Sequence, residues 1–547
     1  MAEMNVKIKT ISSMEKIFPN VEPTEVENFN SMLQNETLNF QVAICNADWE
    51  RNKKNKIVVK GELAKYVTMR TVELMPGTYF GGGKDDYYLS QTIGVFPELL
   101  KQFDALGLVL PSGCWRAVWV SVTKPEAMPA GEYTLEFDVL SEQDELMAST
   151  SYTVEIIAAK SEPCSIHLTN WMHYDCIANY HKAKPFGKRF YAIFEEYLKA
   201  YTDIGFNTLL TPLFTPPLDT QVGGERLTTQ LVKVKKTANG YEFDFSEVKK
   251  FIRFVMKRGI RVIEFSHLFT QWGGKCCPKI VADVNGEEKR IFGWDTPSDS
   301  PEYVAFLGEF LPALVKVVNE LGLRDKCYFH LTDEPHEEHI PQYEKCREIV
   351  KKHIGDLPTF DALSDYSFYE RGLVDVPVTI TSSYESFAEH NVENLFAYYC
   401  CGPSGEYYSN RLMSMPSQRT RIIGLQLYQT KVKGFLHWGY NFYNTVFSLC
   451  TVNPYAVTDA GGLFPSGDSY IVYPTEKGVA YSVRAESMRE AFQDYAALQL
   501  LASKIGEEKV QALLSEFGVK GYKEYPRSAK AHADFKRKIN ALIKENA

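Results

Sequence analysis

Between residues 161 and 485 short apolar runs alternate with longer stretches of helical period, and this alternation limits the fold more than any other feature of the chain. The apolar runs are "CSIHLTNW", "FNTLLTPLF", "IRVIEFSHL", "KCYFHLTDE", "PTFDALS", "DVPVTITSS", "NLFAYYC" and "GFLHWGYN", eight in all. Amphipathic segments such as "KRFYAIFEEYLKAYTDIG", "SEVKKFIRFVMKRG" and "EKCREIVKKHIG" lie between them, each closed by a glycine of the kind that ends helices. Strands that read as near-continuous apolar runs are covered on both faces, and strands separated by helices pair in parallel. Eight such units predict a (β/α)8 barrel of the TIM type.

The flanks read differently. Residues 1–160 show period-two alternation in "ETLNFQVAI", "GCWRAVWVSV", "GEYTLEFDVL" and "TSYTVEII", broken by turn residues. That pattern predicts half-buried antiparallel strands in an N-terminal β-sandwich. Residues 486–547 carry charged helical patterns and predict a C-terminal helical extension on the outside of the barrel. The run "RNKKNK" from Arg51 reads as a solvated face; "FGGGKDDYY" from Phe80 lacks the spacing of a phosphate loop and reads as a plain surface hairpin, or else as a flexible loop of the sandwich that reaches the barrel rim.

Composition removes several function classes. The net charge is −9 and the pI about 5.8, so no basic face for nucleic acid is indicated. No apolar run approaches the roughly 20 residues of a membrane span. The 11 cysteines include the adjacent pairs Cys276-Cys277 and Cys400-Cys401 but no CxxC spacing, so neither a zinc site nor a redox motif is indicated. Reduced thiols and the absence of a secretory pattern at the N-terminus lead us to expect a cytoplasmic protein.

In a (β/α)8 barrel the chemistry sits at the C-terminal ends of the strands. Those ends carry Trp171 and His173, His267 and Trp272, Asp333 and Glu334, Tyr366, Tyr398, and the group His437, Trp438 and Asn441. Carboxylates and aromatics on one rim suit a sugar, whose apolar face stacks on rings while its hydroxyls meet polar groups. The same aromatics could instead only cap the core. The pair Asp333-Glu334 in "HLTDEP" fits two glycosidase mechanisms. In one, Glu334 is the acid/base and a second carboxylate, Glu385 or Glu406, is the nucleophile. In the other, the 2-acetamido group of the sugar is the nucleophile, with one acid handling the proton and its neighbour holding the acetamido N–H. A non-catalytic carbohydrate-binding protein on the same fold is a further reading. The nearby "HEEH" reads as a solvated first helical turn rather than a metal site.

"HLTDEP" resembles the acidic-pair motif of family 123 glycoside hydrolases. "GFLHWGYNFYN" at 434–444, "GDSYIVYP" at 467–474 and "SVRAESMREAFQDYAAL" at 482–498 are similar to later blocks of that family. His437 stands where the family pattern leads one to expect another aromatic. The resemblance implies a β-N-acetylgalactosaminidase-type enzyme that cleaves terminal β-linked 2-acetamido-2-deoxyhexosides with retention, through an oxazolinium-type intermediate and without a cofactor or metal. It implies Glu334 as general acid/base, Asp333 as the residue that orients the acetamido group, and Trp438, Asn441 and Asp468 as sugar contacts. The expected partner is a glycan or glycoside.

Overall fold

The computed structural model describes residues 6–24, 26–47, 54–83, 85–103 and 107–546, so part of the "RNKKNK" run lies outside the described residues. The eight predicted barrel strands form one parallel sheet: His167–Asn170, Thr208–Thr211, Val262–Phe265, Cys327–Phe329, Phe360–Leu363, Val376–Ile380, Phe396–Tyr398 and Gly434–His437. Numbered one to eight along the chain, they are ordered 4-3-2-1-8-7-6-5. Strands one and eight pair in register, His167 opposite Gly434. The ring closes between strands four and five through a single bridge, Phe329 to Thr359. Inside the barrel pack Trp171, Leu210, Phe360, Val378, Phe396 and Leu436. Outside it, helices such as Lys188–Ile204 and Pro301–Glu320 bury their apolar faces on the strands.

Before the barrel stand two five-stranded sheets. Phe40, Val42 and Ile44 on one face of strand Thr37–Asn46 meet Phe137, Val139 and Tyr152 of the other sheet, as alternation requires. The opposite face of that strand is buried too, a departure from the half-buried expectation. Ala43 and Cys45 pack with Trp119 and with Val483 of the helix Val483–Ile505. This helix begins just ahead of the expected boundary at 486. It packs on the outer helices of the barrel, as expected, but its other side is covered by the sandwich, and its charges are spent at that junction. Glu486 holds Arg70 of the sandwich at 2.7 Å, and Asp494 holds Arg421 of the barrel at 2.8 Å. Arg484 reaches Glu98 at 2.6 Å. Partnered charges let a helix with polar groups on every side be buried.

One further feature departs from the sequence reading. A four-stranded sheet, Gly240–Asp244, Lys233–Thr237, Ile280–Val284 and Glu287–Phe292, is inserted in the loops after barrel strands two and three. "FGGGKDDYY" is the sandwich loop at the barrel rim, not a plain surface hairpin. It reaches across to the loop after strand seven, where Asp85 pairs with buried Arg419 at 2.8 Å. A side chain on Gly83 would stand 2.3 Å from the backbone of Ser404 and Gly405, so only glycine permits this approach.

Candidate active site

At the C-terminal end of the barrel opens a cavity of about 250 Å³ that contains Asp333 and Glu334. Its walls are largely aromatic: Trp171, Trp272, Tyr398, Trp438, Phe447 and Phe464. A larger cleft, about 930 Å³, lies between sandwich and barrel around Arg70, Tyr481 and Arg489. The acid pair places the chemistry in the smaller one.

Consecutive side chains on a regular strand point to opposite faces. Here the strand stops at Phe329, and Glu334 takes a left-handed backbone with φ 44°. That conformation costs a non-glycine residue about 1–3 kcal/mol and is found where function holds it. It turns both carboxyls toward one cavity. Three backbone and side-chain bonds fix the turn. The Trp272 N–H donates to Asp333 O at 2.8 Å, and the Glu334 N–H donates to Ala362 O at 3.1 Å. The Tyr398 hydroxyl donates to Glu334 Oε1 at 2.8 Å. Among the described residues, no group hydrogen-bonds the Asp333 carboxyl. Burial and then the charge of Glu334 push the Asp333 carboxyl well above the ordinary aspartate range.

Beneath the pair lies a closed polar layer that belongs to strands three to five. Asp361 Oδ1 accepts from the backbone N–H of Leu331 at 3.0 Å and of Thr332 at 3.3 Å. Its Oδ2 accepts from the Tyr343 hydroxyl at 2.5 Å. Asp361 thereby supplies the acceptors that the sparse ladder between strands four and five does not. His330 spans the layer, with Nε2 3.2 Å from Glu264 and Nδ1 3.5 Å from Asp361. Burial alone would lower its pKa, but the bonds to Asp361 and Glu264 outweigh that and lift it to about 9. An imidazolium between two buried carboxylates is the pairing that buried charge demands.

Of the side chains expected at the sugar surface, Trp171, Trp272, Tyr398 and Trp438 line the cavity. The other five stand outside its lining. His267 is stacked on His330, ring centres 4.2 Å apart, inside the barrel. His173 lies behind Trp438: its Nε2 meets Trp438 O at 2.9 Å and its Nδ1 meets Arg226 at 3.1 Å. Burial and then Arg226 push the His173 ring down to about 3, so it serves as a neutral bracket. Asn441 exchanges hydrogen bonds with the His173 backbone at 2.9 and 3.1 Å. Asp468 accepts from the Trp438 indole N–H at 3.0 Å and faces His437, with burial pushing its carboxyl up to about 7. Tyr366 stacks on His390 away from the cavity. Position at a strand end sets height on the barrel, while direction comes from local backbone, and these five turn away or lie too deep. His437, the departure from the family pattern, accepts from Arg411 at 2.6 Å and lies beneath Trp438.

Asp219, Phe447 and Phe464 are among the cavity residues that the sequence reading did not find. Asp219, in the loop after strand two, is tied to the loop after strand eight: the Phe447 N–H donates to its Oδ2 at 3.0 Å. Burial raises the Asp219 carboxyl to about 6. Phe447 meets Trp272 edge-on, and Phe464 packs on Trp438. Only the long loop "TPPLDTQVGGERLTTQ" hinted that strand two carries more than a turn. Glu385 and Glu406, weighed as nucleophiles, are both exposed and lie outside this cavity. Among the described residues no group of three or more His, Cys, Asp or Glu is arranged to hold a metal ion.

Residues 171–501 match the family described as glycoside hydrolase 123, catalytic domain. A family 123 glycoside hydrolase from Clostridium perfringens, solved in a study of glycolipid glycan hydrolysis, has the same fold. It superposes with a TM-score of 0.74 at 15% identity, over 99% of this chain and 97% of that one. The β-galactosidase of Bacillus circulans sp. alkalophilus aligns at a TM-score of only 0.35 and 10% identity, over 62% of this chain and 57% of that one, too distantly to carry an argument. No curated protein matches the sequence. The family match spans the barrel from the end of its first strand onward, with the acid pair at the fourth, and the chain belongs to glycoside hydrolase family 123.

Proposed function

We propose that the protein removes terminal β-linked 2-acetamido-2-deoxyhexosides, N-acetylgalactosaminides foremost, by substrate-assisted hydrolysis with retention. The observation that carries this reading is the adjacent acid pair turned into one aromatic cavity, with Glu334 held and Asp333 free. A cavity of about 250 Å³ suits one pyranose rather than an extended glycan. Trp438 and Trp272, both partly exposed on the wall, offer flat faces for the ring.

In this mechanism the acetamido oxygen attacks the anomeric carbon as Glu334 protonates the leaving oxygen. The Asp333 carboxylate accepts the acetamido N–H, which aligns the oxygen and offsets the charge that develops on the oxazolinium ring. That N–H favours the charged form of Asp333, so the substrate itself lowers the pKa that burial and Glu334 raise. Water, deprotonated by Glu334, then opens the intermediate from the same face. The cleaved bond is C1–O, and the proton given to the aglycone is recovered from water.

The two-carboxylate alternative loses its expected nucleophiles, since Glu385 and Glu406 are outside the cavity. Asp219 is the remaining carboxyl in the cavity, which keeps that mechanism as a second reading. A thiazoline that mimics the oxazoline separates the two. Tight competitive inhibition that weakens in Asp333→Asn supports substrate assistance. No inhibition, together with a glycosyl ester trapped on Asp219, would support the alternative.

A further inference from the structure

Cys400 and Cys401 lie one residue beyond barrel strand Phe396–Tyr398, and both line the cavity that holds Asp333 and Glu334. Their Sγ atoms are 3.8 Å apart. Two thiols in van der Waals contact on the wall of a catalytic cavity play no part in the hydrolysis above.

The covalent chemistry open to this pair is restricted by its being adjacent. Neighbouring Cα atoms are held about 3.8 Å apart. A relaxed disulfide needs roughly 4.4–6.8 Å, so a bond between these sulfurs would be strained and readily reduced. A bridging atom has no such difficulty. Two bonds of about 2.3 Å to sulfur, meeting at the roughly 95–100° of a pyramidal trivalent atom, separate the sulfurs by about 3.4–3.5 Å, within a few tenths of an ångström of the observed spacing. The observed spacing therefore suits a third atom between the thiols better than a direct bond. A zinc-like dication would want four ligands, and among the described residues no third His, Cys, Asp or Glu joins the pair. A trivalent arsenic that already carries one carbon substituent needs two sulfurs and nothing more.

We propose that Cys400 and Cys401 form a dithiol modification site that takes monosubstituted trivalent arsenicals, placing the organic substituent inside the sugar cavity. The reaction balances without an oxidant. R–As=O and two S–H groups give R–As(S)2 and water: two S–H bonds break, two As–S bonds form, the protons leave with the oxide, and arsenic stays trivalent. The aromatic walls that would hold a pyranose also receive a phenyl substituent. The Cys400 thiol is pushed up by its contact with Cys401, then by burial, then by Glu334. A raised thiol alkylates slowly, because alkylation needs the thiolate. The site should thus prefer dithiol reagents to monofunctional ones.

The second adjacent pair provides the internal control. Cys277 is buried with its thiol directed to Pro297 O at 3.7 Å, and neither Cys276 nor Cys277 lines the cavity. The exposed Cys450 stands alone as a monothiol.

The test uses the full chain and phenylarsine oxide, read by intact mass and by counting titratable thiols. One phenylarsenic per chain is expected, with two thiols lost. The adduct should survive excess 2-mercaptoethanol and be removed by 2,3-dimercaptopropanol. Cys400→Ser and Cys401→Ser should each weaken it by about 100-fold or more, since the second As–S bond is intramolecular. Cys276→Ser should leave it unchanged. If a serine variant fails to fold, peptide mapping of the wild-type protein decides: the adduct belongs on the peptide that contains 400–401. No adduct under native conditions, an adduct that persists in both serine variants, or one mapped to 276–277 would each overturn the proposal. Only the expected block of hydrolysis by the adduct rests on the function proposed above. The mass readout does not, so the two can fail separately.

Discussion

Replacing Asp361 by alanine removes the acceptor that ties the end of strand four to strand five. Three buried donors lose their partner: the N–H groups of Leu331 and Thr332 and the Tyr343 hydroxyl; His330, 3.5 Å away, loses one of its two facing carboxyls. A buried donor left unpaired costs about 1–3 kcal/mol, which sums to roughly 3–9 kcal/mol if nothing relaxes. Two effects reduce this. Water can enter the space of the lost carboxyl. And burial raises the Asp361 carboxyl despite His330 and Tyr343, so its desolvation already offsets part of what its contacts contribute. The net loss should fall near the roughly 3–5 kcal/mol typical of a buried charge pair broken at one end. Asp361→Asn keeps an oxygen for the two backbone donors and should lose less than half as much. The assay is urea unfolding followed by tryptophan fluorescence, because Trp171, Trp272 and Trp438 surround the cavity. Turnover is measured on the same samples. A displacement of the acid pair by 1 Å is enough to lower kcat/KM about 100-fold, so the alanine variant should be nearly inactive while still folded. An alanine variant within about 0.5 kcal/mol of wild type, or one of full activity, would refute the view that Asp361 holds the pair.

Further outcomes follow from the same geometry. Asp333→Asn should abolish turnover yet stabilise the protein by about 0.5–2 kcal/mol at pH 7. The sign follows from linkage. A carboxyl whose folded pKa is raised favours folding while protonated and loses that contribution as pH rises through the folded value, so the gain should shrink toward pH 4. Equal melting of the two proteins at pH 7 would count against a raised Asp333. For the same reason the acidic limb of kcat/KM should lie above the ordinary aspartate value of about 3.9, and that of kcat should lie lower, because the bound acetamido N–H favours the anion. Coincident limbs in the two profiles would contradict this. Glu334→Gln should lower kcat/KM about 10²–10⁴-fold for poor leaving groups and much less for activated aryl glycosides. A uniform loss across leaving groups would remove Glu334 from the acid role.

The barrel was legible because its strands carry a strong signal. Runs such as "FDAL" and "VPVTI" are apolar at all but one position each, as parallel strands buried on both faces need. The inserted four-stranded sheet was passed over although its turns were visible. Asn239-Gly240 and Asn285-Gly286 each join two strands, and Asn-Gly is a strong hairpin signal. The acid pair could be located because strand number and strand end together define a place. Its neighbours could be located only in part. His267 and Tyr366 sit at strand ends as expected, but one points into the barrel and the other outward. No pattern in the sequence specifies those rotations. Asp219 and Phe447 come from long loops that become a wall only by bonding to each other. Contacts of that kind are long-range and leave no local periodicity.

The most direct test of the account is a panel of aryl β-glycosides that differ only at C2. With a 2-acetamido group, as in aryl N-acetyl-β-galactosaminides, turnover should be measurable, and Asp333→Asn should remove it. With a 2-hydroxyl in its place, cleavage should fall below detection. Comparable cleavage of the 2-hydroxy glycosides would mean that the protein, and not the substrate, provides the nucleophile, and the role assigned to Asp333 would be wrong.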